Sequence, residues 1–367
     1  MFDAIQQHLI TREIPTELTE WVAENAQGFD SGRIEVRNAL FRLANYGIVD
    51  LGAPANHEGQ LLNQASAIEQ LARRSFSTGF ALWGHRMCVE FLSLAGGSYA
   101  KSVLPKLRSG ITPGASAMAP GYKALAGAGD LSLRVDRDGR GQFRMSGRIA
   151  WASNLYSDAI AIAPAYGPDA PADASGAEGG VVVALPLNSP EVTIGPELEL
   201  LAMRGTASTS VELEDVVISP DQVLTTDFVP FLQRTRPTLS ILQASFCLGL
   251  ATTCYGHAVE NATGVNAILM PEVQQQGRML AETKQQLAVL AQAVGTATPS
   301  KPVDVLSMRL NAGRLGMELA ALELKTAGGK GFVSTSDTNR RYRESTFISL
   351  QSPSEAQLRW ELEQLQS

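Results

Sequence analysis

The sequence predicts an α+β protein built in three parts. These are an N-terminal helical domain over 1–110, a small antiparallel, barrel-like β domain over 111–229, and a C-terminal four-helix bundle over 230–367. Three observations predict it. Apolar residues recur at three- and four-residue steps as far as about Arg108, the signature of amphipathic helices. The period then drops to two, between turn signals, which marks strands. From about Pro230 long apolar helical stretches return and continue to the end.

In the first part, "IEVRNALFRLANYGI" sets Val36, Leu40, Leu43 and Ala44 on one helical face, and "LLNQASAIEQLARRS" repeats the pattern. "GAPANHEG" between them is a loop by its Gly, Pro and Asn content. In the second part, "LSLRV", "DRDGRGQ" and "FRMSGRIAW" read as strand, turn and strand. "AIAIAPAY" and "GGVVVALPL" are two further strands, and "STSVELEDVVISPDQVL" closes the β-rich segment. The small-residue stretch "GPDAPADASGAEGG" between those two strands reads as a mobile surface loop. In the third part, "TLSILQASFCLGLATTCYGHAVENA" is apolar on most faces and belongs deep in a bundle. Two more long helices follow, the last stopped by Gly328 and Gly329.

Composition narrows the function. With 44% hydrophobic and 18% charged residues, the chain can bury sizeable cores. A formal charge of -7 argues against nucleic acid, since phosphate binding needs dense Lys and Arg. Cys88, Cys247 and Cys254 form no disulfide framework and fit a reducing cytoplasm. The start "MFDAIQQHLITREIPTEL" lacks the pattern of a signal peptide, and no apolar run reaches the roughly 18 residues that span a bilayer. No metal-ligand spacing occurs. The expectation is a cytoplasmic protein with no metal, no nucleic acid and no membrane.

Five stretches in sequence order carry a resemblance: "KSVLPKLRSGITPGASAMAP", "SGRIAWASNLYSDA", "LLAMRGTASTSVELEDVVISPDQVL", "KTAGGKGF" and "RYREST". They resemble segments of the acyl-CoA dehydrogenase superfamily, and the resemblance spans nearly the whole chain. It implies FAD, with FMN as an alternative, clasped between the β domain and the bundle. It also implies an acyl substrate, a homodimer or homotetramer, and an electron-transfer flavoprotein or flavin reductase as redox partner. By position in that resemblance, Trp151 and Ser153 lie against the isoalloxazine. Gly328 and Gly329 let the backbone approach the cofactor of a second subunit, and Ser354 stands near the pyrophosphate. Read without the resemblance, Trp151 is a core aromatic at a strand end, the Gly pair a helix stop, and Ser354 a turn or N-cap residue.

The chain departs from the family pattern at the base. A dehydrogenase of this type needs a carboxylate to take the substrate's α proton. The family's usual Glu falls on Ser352, and a serine hydroxyl would itself need a base. In another branch of the family the Glu sits on the first helix of the bundle, and "RPTLSILQASFCLG" there has no acid. Further departures are "MAP" at Met118 to Pro120 for "TEP", Lys325 for a Gln, and "ATGVNAIL" where the family carries an Arg for the partner's cofactor phosphates.

Other candidates remain. His85 matches a histidine that faces flavin in monooxygenases of this fold, or else it is a helical histidine bonded to a carbonyl. Glu90 replaces the missing base only in a rearranged pocket. Arg341 and Arg343 bind a phosphate or form ion pairs within the bundle. His257 reads as structural; His8 and His57 lie in predicted surface stretches. Three function classes stay open: a flavin-dependent dehydrogenase, a reduced-flavin-dependent monooxygenase on the same scaffold, and a non-catalytic homologue.

Overall fold

The computed structural model describes residues 11–366, so His8 lies outside the described residues. Among the described residues five α-helices come first: α1 (Thr16–Ser31), α2 (Arg37–Asn45), α3 (Leu61–Arg74), α4 (Phe76–Ala95) and α5 (Gly97–Arg108). Their apolar steps are those of the sequence, with Val36, Leu40 and Leu43 buried. The Ser75 hydroxyl accepts from Thr78 N–H at 3.2 Å and starts α4 directly after α3.

The β segment follows, with β1 (Gly114–Ser116), the short helix α6 (Ala119–Leu125), β2 (Leu133–Arg137), β3 (Phe143–Ala152), β4 (Ile160–Tyr166), β5 (Gly180–Pro186), β6 (Val192–Ile194), β7 (Thr209–Ile218) and β8 (Val223–Thr225). The order across the sheet is β6-β7-β3-β2-β4-β5-β8, with β1 beside β4. Most pairs are antiparallel as expected, but β4 runs parallel to both β1 and β2. β1, β6 and α6 are too short to show in a sequence pattern. The β2–β3 turn is held by Asp138, whose carboxylate accepts from Arg140 and Gln142 N–H.

β4 explains how the sheet joins the rest. Its even-numbered residues Ile160, Ile162 and Tyr166 enter the helical core, while Ala161, Ala163 and Ala165 enter a separate core on the sheet's other face. β5 divides its residues the same way, so both strands are buried on both faces. Pro164 sits in β4 without disrupting it. Ile162 faces β1, so Pro164 faces that same edge, where β1 has ended and β2 has not yet begun to pair. The small-residue loop expected to be mobile is pinned instead. Asp130 accepts from Gly176 N–H at 2.7 Å, and Arg134 donates to Pro171 O at 2.8 Å.

The helices α7 (Phe228–Asn261), α8 (Met270–Ala293), α9 (Pro302–Ala327), the single turn α10 (Gly329–Phe332), α11 (Asp337–Thr346) and α12 (Glu355–Gln366) complete the chain. α7 begins about ten residues before the stretch singled out in the sequence and runs through Pro237. It alone among the described helices is long and apolar enough, by length and composition, to cross a membrane, which the search for an uninterrupted apolar run does not register. Its most apolar window is 89% buried, as befits a core helix.

The two helical segments share one hydrophobic core. α7 crosses α3 at Gly249, where an added Cβ would stand 2.3 Å from Glu69 O. Beside that crossing the fully buried Glu69 carboxylate takes Lys284 Nζ at 2.9 Å from α8, Arg73 Nη2 at 2.9 Å and the Thr252 hydroxyl at 3.1 Å. Its cationic partners hold its pKa below the usual range despite burial. Removing one partner from a buried ion pair leaves an uncompensated charge. Glu69→Ala is therefore expected to lower the unfolding free energy by about 3–5 kcal/mol, read from urea denaturation. A midpoint like that of the wild type would show that the cluster holds nothing together.

Candidate functional site

The three segments meet around a cleft of ≈ 490 Å³. Phe80, Trp83 and Gly84 of α4 form one wall and Trp151 to Asn154, at the end of β3, another. Leu200 to Met203 cover it from the strap before β7, and Phe347 and Leu350 to Ser352 close it from the C-terminal segment. The lining is mainly apolar. Lys123 and Arg343 supply its cations, and none of the lining residues is acidic.

Local hydrogen bonds set this geometry. Asn154 takes a left-handed backbone with φ 60°, and its Nδ2 donates to Ala81 O at 3.0 Å and Gly114 O at 3.1 Å. The end of β3 is thereby tied to α4 and β1. Trp151 is 43% exposed, a large apolar ring left uncovered beside the cleft. Ser153 Oγ and Ser208 Oγ lie 2.6 Å apart, and Ser208 Oγ and Thr206 Oγ1 2.8 Å apart, forming a hydroxyl chain along the wall. Asp30 holds the strap by accepting from Met203 N–H at 2.8 Å and pairing with Arg343 at 2.7 Å. Trp83 Nε1 and Ser352 Oγ are buried with no hydrogen-bond partner among the described residues.

The residues expected from the sequence divide into two groups. Trp151, Ser153, Ser352, Arg343 and Met118 all line the cleft. His85 does not. Its Nε2–H donates to Leu107 O and its Nδ1 accepts from Gly114 N–H, both at 3.0 Å, so both ring nitrogens join α4 to α5 and β1. Phe80, Trp83 and Gly84 share the face of α4 that meets the cleft, and His85, one residue further round, points away from it. Because α4 is buried on all sides, its sequence does not reveal which face meets a cavity, and Trp83 escaped notice for that reason.

Glu90 is likewise engaged elsewhere, accepting from Arg86 at 2.9 Å and Ala55 N–H at 2.8 Å. Arg341 pairs with buried Glu323 rather than entering the cleft. Ser354 caps α12, its hydroxyl accepting from Gln357 N–H at 3.2 Å. Gly328 ends α9 at φ 62° and is exposed with Gly329, both outside the cleft lining. Lys325 pairs with Glu272, and His257 faces Glu260 on the surface. Burial raises all three cysteine thiol pKa values, so none is a ready nucleophile. No group of residues suited to hold a metal occurs among the described residues.

No family model matches the sequence. The chain is 23% identical over 320 residues to the human mitochondrial short-chain specific acyl-CoA dehydrogenase, covering 83% of this chain and 76% of that protein. Its fold matches a glutaryl-coenzyme A dehydrogenase solved with glutaryl-CoA, with a TM-score of 0.81, 18% identity and 97% of each chain covered. It also matches KijD3, solved with FMN and a dTDP-linked amino keto sugar, with a TM-score of 0.78 and 17% identity over 98% of this chain and 95% of that one.

Burial lowers the pKa of His85 to about 4, against 6.5 for an ordinary histidine. Between those values the unfolded chain takes up a proton that the folded ring refuses, so this group's share of stability falls as pH drops from about 6.5 toward 4. Histidine NMR should show its ring neutral, with Nε2 protonated, at pH 6. A His85 titrating near 6.5 would place the ring in contact with solvent.

Proposed function

We propose that this chain, which has the acyl-CoA dehydrogenase fold, is a flavin-dependent oxidoreductase acting on an acyl thioester or a similar acyl substrate. The observation that carries the reading is the cleft itself. It is an aromatic-walled cavity where the β segment meets both helical segments, with the Trp151 ring open to it and partnerless polar atoms of Trp83 and Ser352 at its edge. A flat, conjugated ring system suits such walls.

The residues present fit FAD or FMN. Trp151 would pack on the isoalloxazine face, and the Ser153 hydroxyl, already in a donor–acceptor chain, would bond a ring nitrogen or carbonyl. Bound flavin supplies the two-electron redox chemistry. The chain's share is to hold the substrate against that ring, exclude water with Phe80, Trp83 and Phe347, and carry charge through Lys123 and Arg343. Ser352 is the chain's residue at the family's base position, and its hydroxyl would donate or accept one hydrogen bond there. Gly328, Gly329 and Ser354 lie outside this cleft, so any cofactor contact from the Gly pair would be made across a homodimer or homotetramer interface. The exposed Phe332, Val333, Val265 and Ile268 near the end of α9 are apolar enough for such a contact.

One observation favours a second reading. With no acid in the lining, a reaction that needs no α-proton acceptor suits the cleft better than dehydrogenation does. A reduced-flavin-dependent monooxygenase is such an enzyme, and its partner would be a flavin reductase rather than an electron-transfer flavoprotein. A non-catalytic homologue would keep the fold and bind neither flavin nor substrate.

The purified protein is expected to show a flavin absorption spectrum or to acquire one on reconstitution with FAD or FMN. Trp151→Ala should weaken flavin binding about 3–10-fold. Acyl-CoA thioesters should bleach the bound flavin anaerobically if the enzyme dehydrogenates, and Ser352→Glu should then speed the bleaching. Hydroxylated product from oxygen and a flavin reductase, with no bleaching, would select the monooxygenase. A protein that stays colourless through reconstitution would defeat both enzymatic readings.

A further inference from the structure

The inner wall of the cleft has an unusual backing. Arg236, Ser240 and Gln243 stand at four- and three-residue steps on one face of α7, and that face meets the C-terminal segment. Gln243 Nε2 donates to Ser352 O at 2.8 Å, which places Gln243 directly behind Ser352, while Arg236, two turns earlier, lies over the ring of the cleft residue Tyr122 at 5.1 Å. Arg309 of α9 joins Gln243, donating to its Oε1 at 3.2 Å and to Gln351 Oε1 at 2.9 Å. Gln351 and Ser352 in turn line the cleft.

The charges here do not balance. Arg309 is 1% exposed and its two acceptors are neutral amides; near it stand the neutral Cys247 thiol and a second cation, Arg236. Arg236 is 9% exposed and pairs with Glu361 through Nη2 alone. Its Nε and Nη1 are buried with no partner among the described residues, as are the hydroxyls of Ser240 and Ser352. Two buried guanidinium groups thus face one carboxylate, with four polar positions unfilled. A buried charge without a counter-charge is costly, and so is each unmade buried hydrogen bond. Of these four positions only Ser352 Oγ belongs to a residue that lines the cleft, and an anionic ligand group bound there would fill it.

We propose that the Gln351–Ser352 wall, backed by Gln243 and Arg309, binds an anionic oxygen group of the substrate, so that the preferred acyl ligand bears a carboxylate. This deepens the acyl-substrate reading by naming a substrate class. The Ser352 hydroxyl donates to the carboxylate directly. Arg309 is a positioning residue: it fixes Gln351 and supplies an uncompensated positive field. The apolar remainder of the cleft takes the carbon chain.

The test uses matched pairs on the protein as purified. Succinyl-CoA and butyryl-CoA share a four-carbon acyl chain and differ by the carboxylate. Calorimetry should give succinyl-CoA an advantage of about tenfold, the size of one hydrogen bond to a charged group. The ratio of succinyl-CoA to butyryl-CoA affinity should fall toward one in both Arg309→Met and Ser352→Ala; in Arg309→Met, whose side chain lies outside the cleft lining, butyryl-CoA affinity itself should stay within about twofold, a change of about 0.4 kcal/mol. Ser352→Ala keeps the test open should Arg309→Met fail to fold. Where either thioester binds, the pair decides: equal affinity, tighter butyryl-CoA, or a preference that survives Ser352→Ala overturns the proposal. Where neither binds, the acyl-thioester reading fails and the free acids decide. Succinate raising Tm more than butyrate in wild type but not in Ser352→Ala then supports the anion site, and equal effects overturn it.

Discussion

The crossing of α7 over α3 is the contact on which the rest of this structure depends. Gly249 lets the two backbones approach until a methyl group would not fit, and Glu69 then ties α3 to α8 through Lys284 and to α7 through Thr252. A buried carboxylate with two cationic partners and a hydroxyl is tolerated because each of its charges and hydrogen bonds is answered. The consequence is that the N-terminal helices and the bundle are one packing unit. The sheet is docked onto that unit through one side of β4 and β5.

The cleft follows from this arrangement. The N-terminal helices, the sheet and the C-terminal segment meet without filling the space between them. α4 cannot move toward β3, because Asn154 fixes their separation through two carbonyls. The strap over the cleft is held by Asp30 and Arg343. His85, which looks chemical in the sequence, is part of the same scaffolding, joining α4 to α5 and β1. A cavity so supported stays open as a property of the fold, and its chemistry is decided by the few side chains on its inner surface.

Those side chains are mainly apolar and aromatic, with a few hydroxyls and two cations and without a carboxylate. The Arg309 guanidinium behind Gln351 biases this end of the cleft toward negative charge supplied by a ligand. Aromatic walls and a positively biased end are compatible demands, since a flat conjugated ring and an acidic group can occupy different parts of one cleft.

The fold was readable from the chain because it rests on local periodicity. The helices up to Arg108, the β2–β3 hairpin with Asp138 in its turn, and the long apolar α7 all follow from spacing and turn chemistry. Trp151, Ser153 and Ser352 reached the cleft because the segments around them resemble a known family in order. Only the tertiary structure decided which face of an all-round apolar helix meets a cavity, and so replaced His85 with Trp83. It alone showed that Ser354 caps a helix, that the small-residue loop is pinned, and that Arg309 lies buried behind Gln351 with neutral amides as its acceptors. Periodicity records which residues are buried; it does not record what they are buried against. Charge balance and cavity walls are sums over distant segments, so they exist only once the chain has folded.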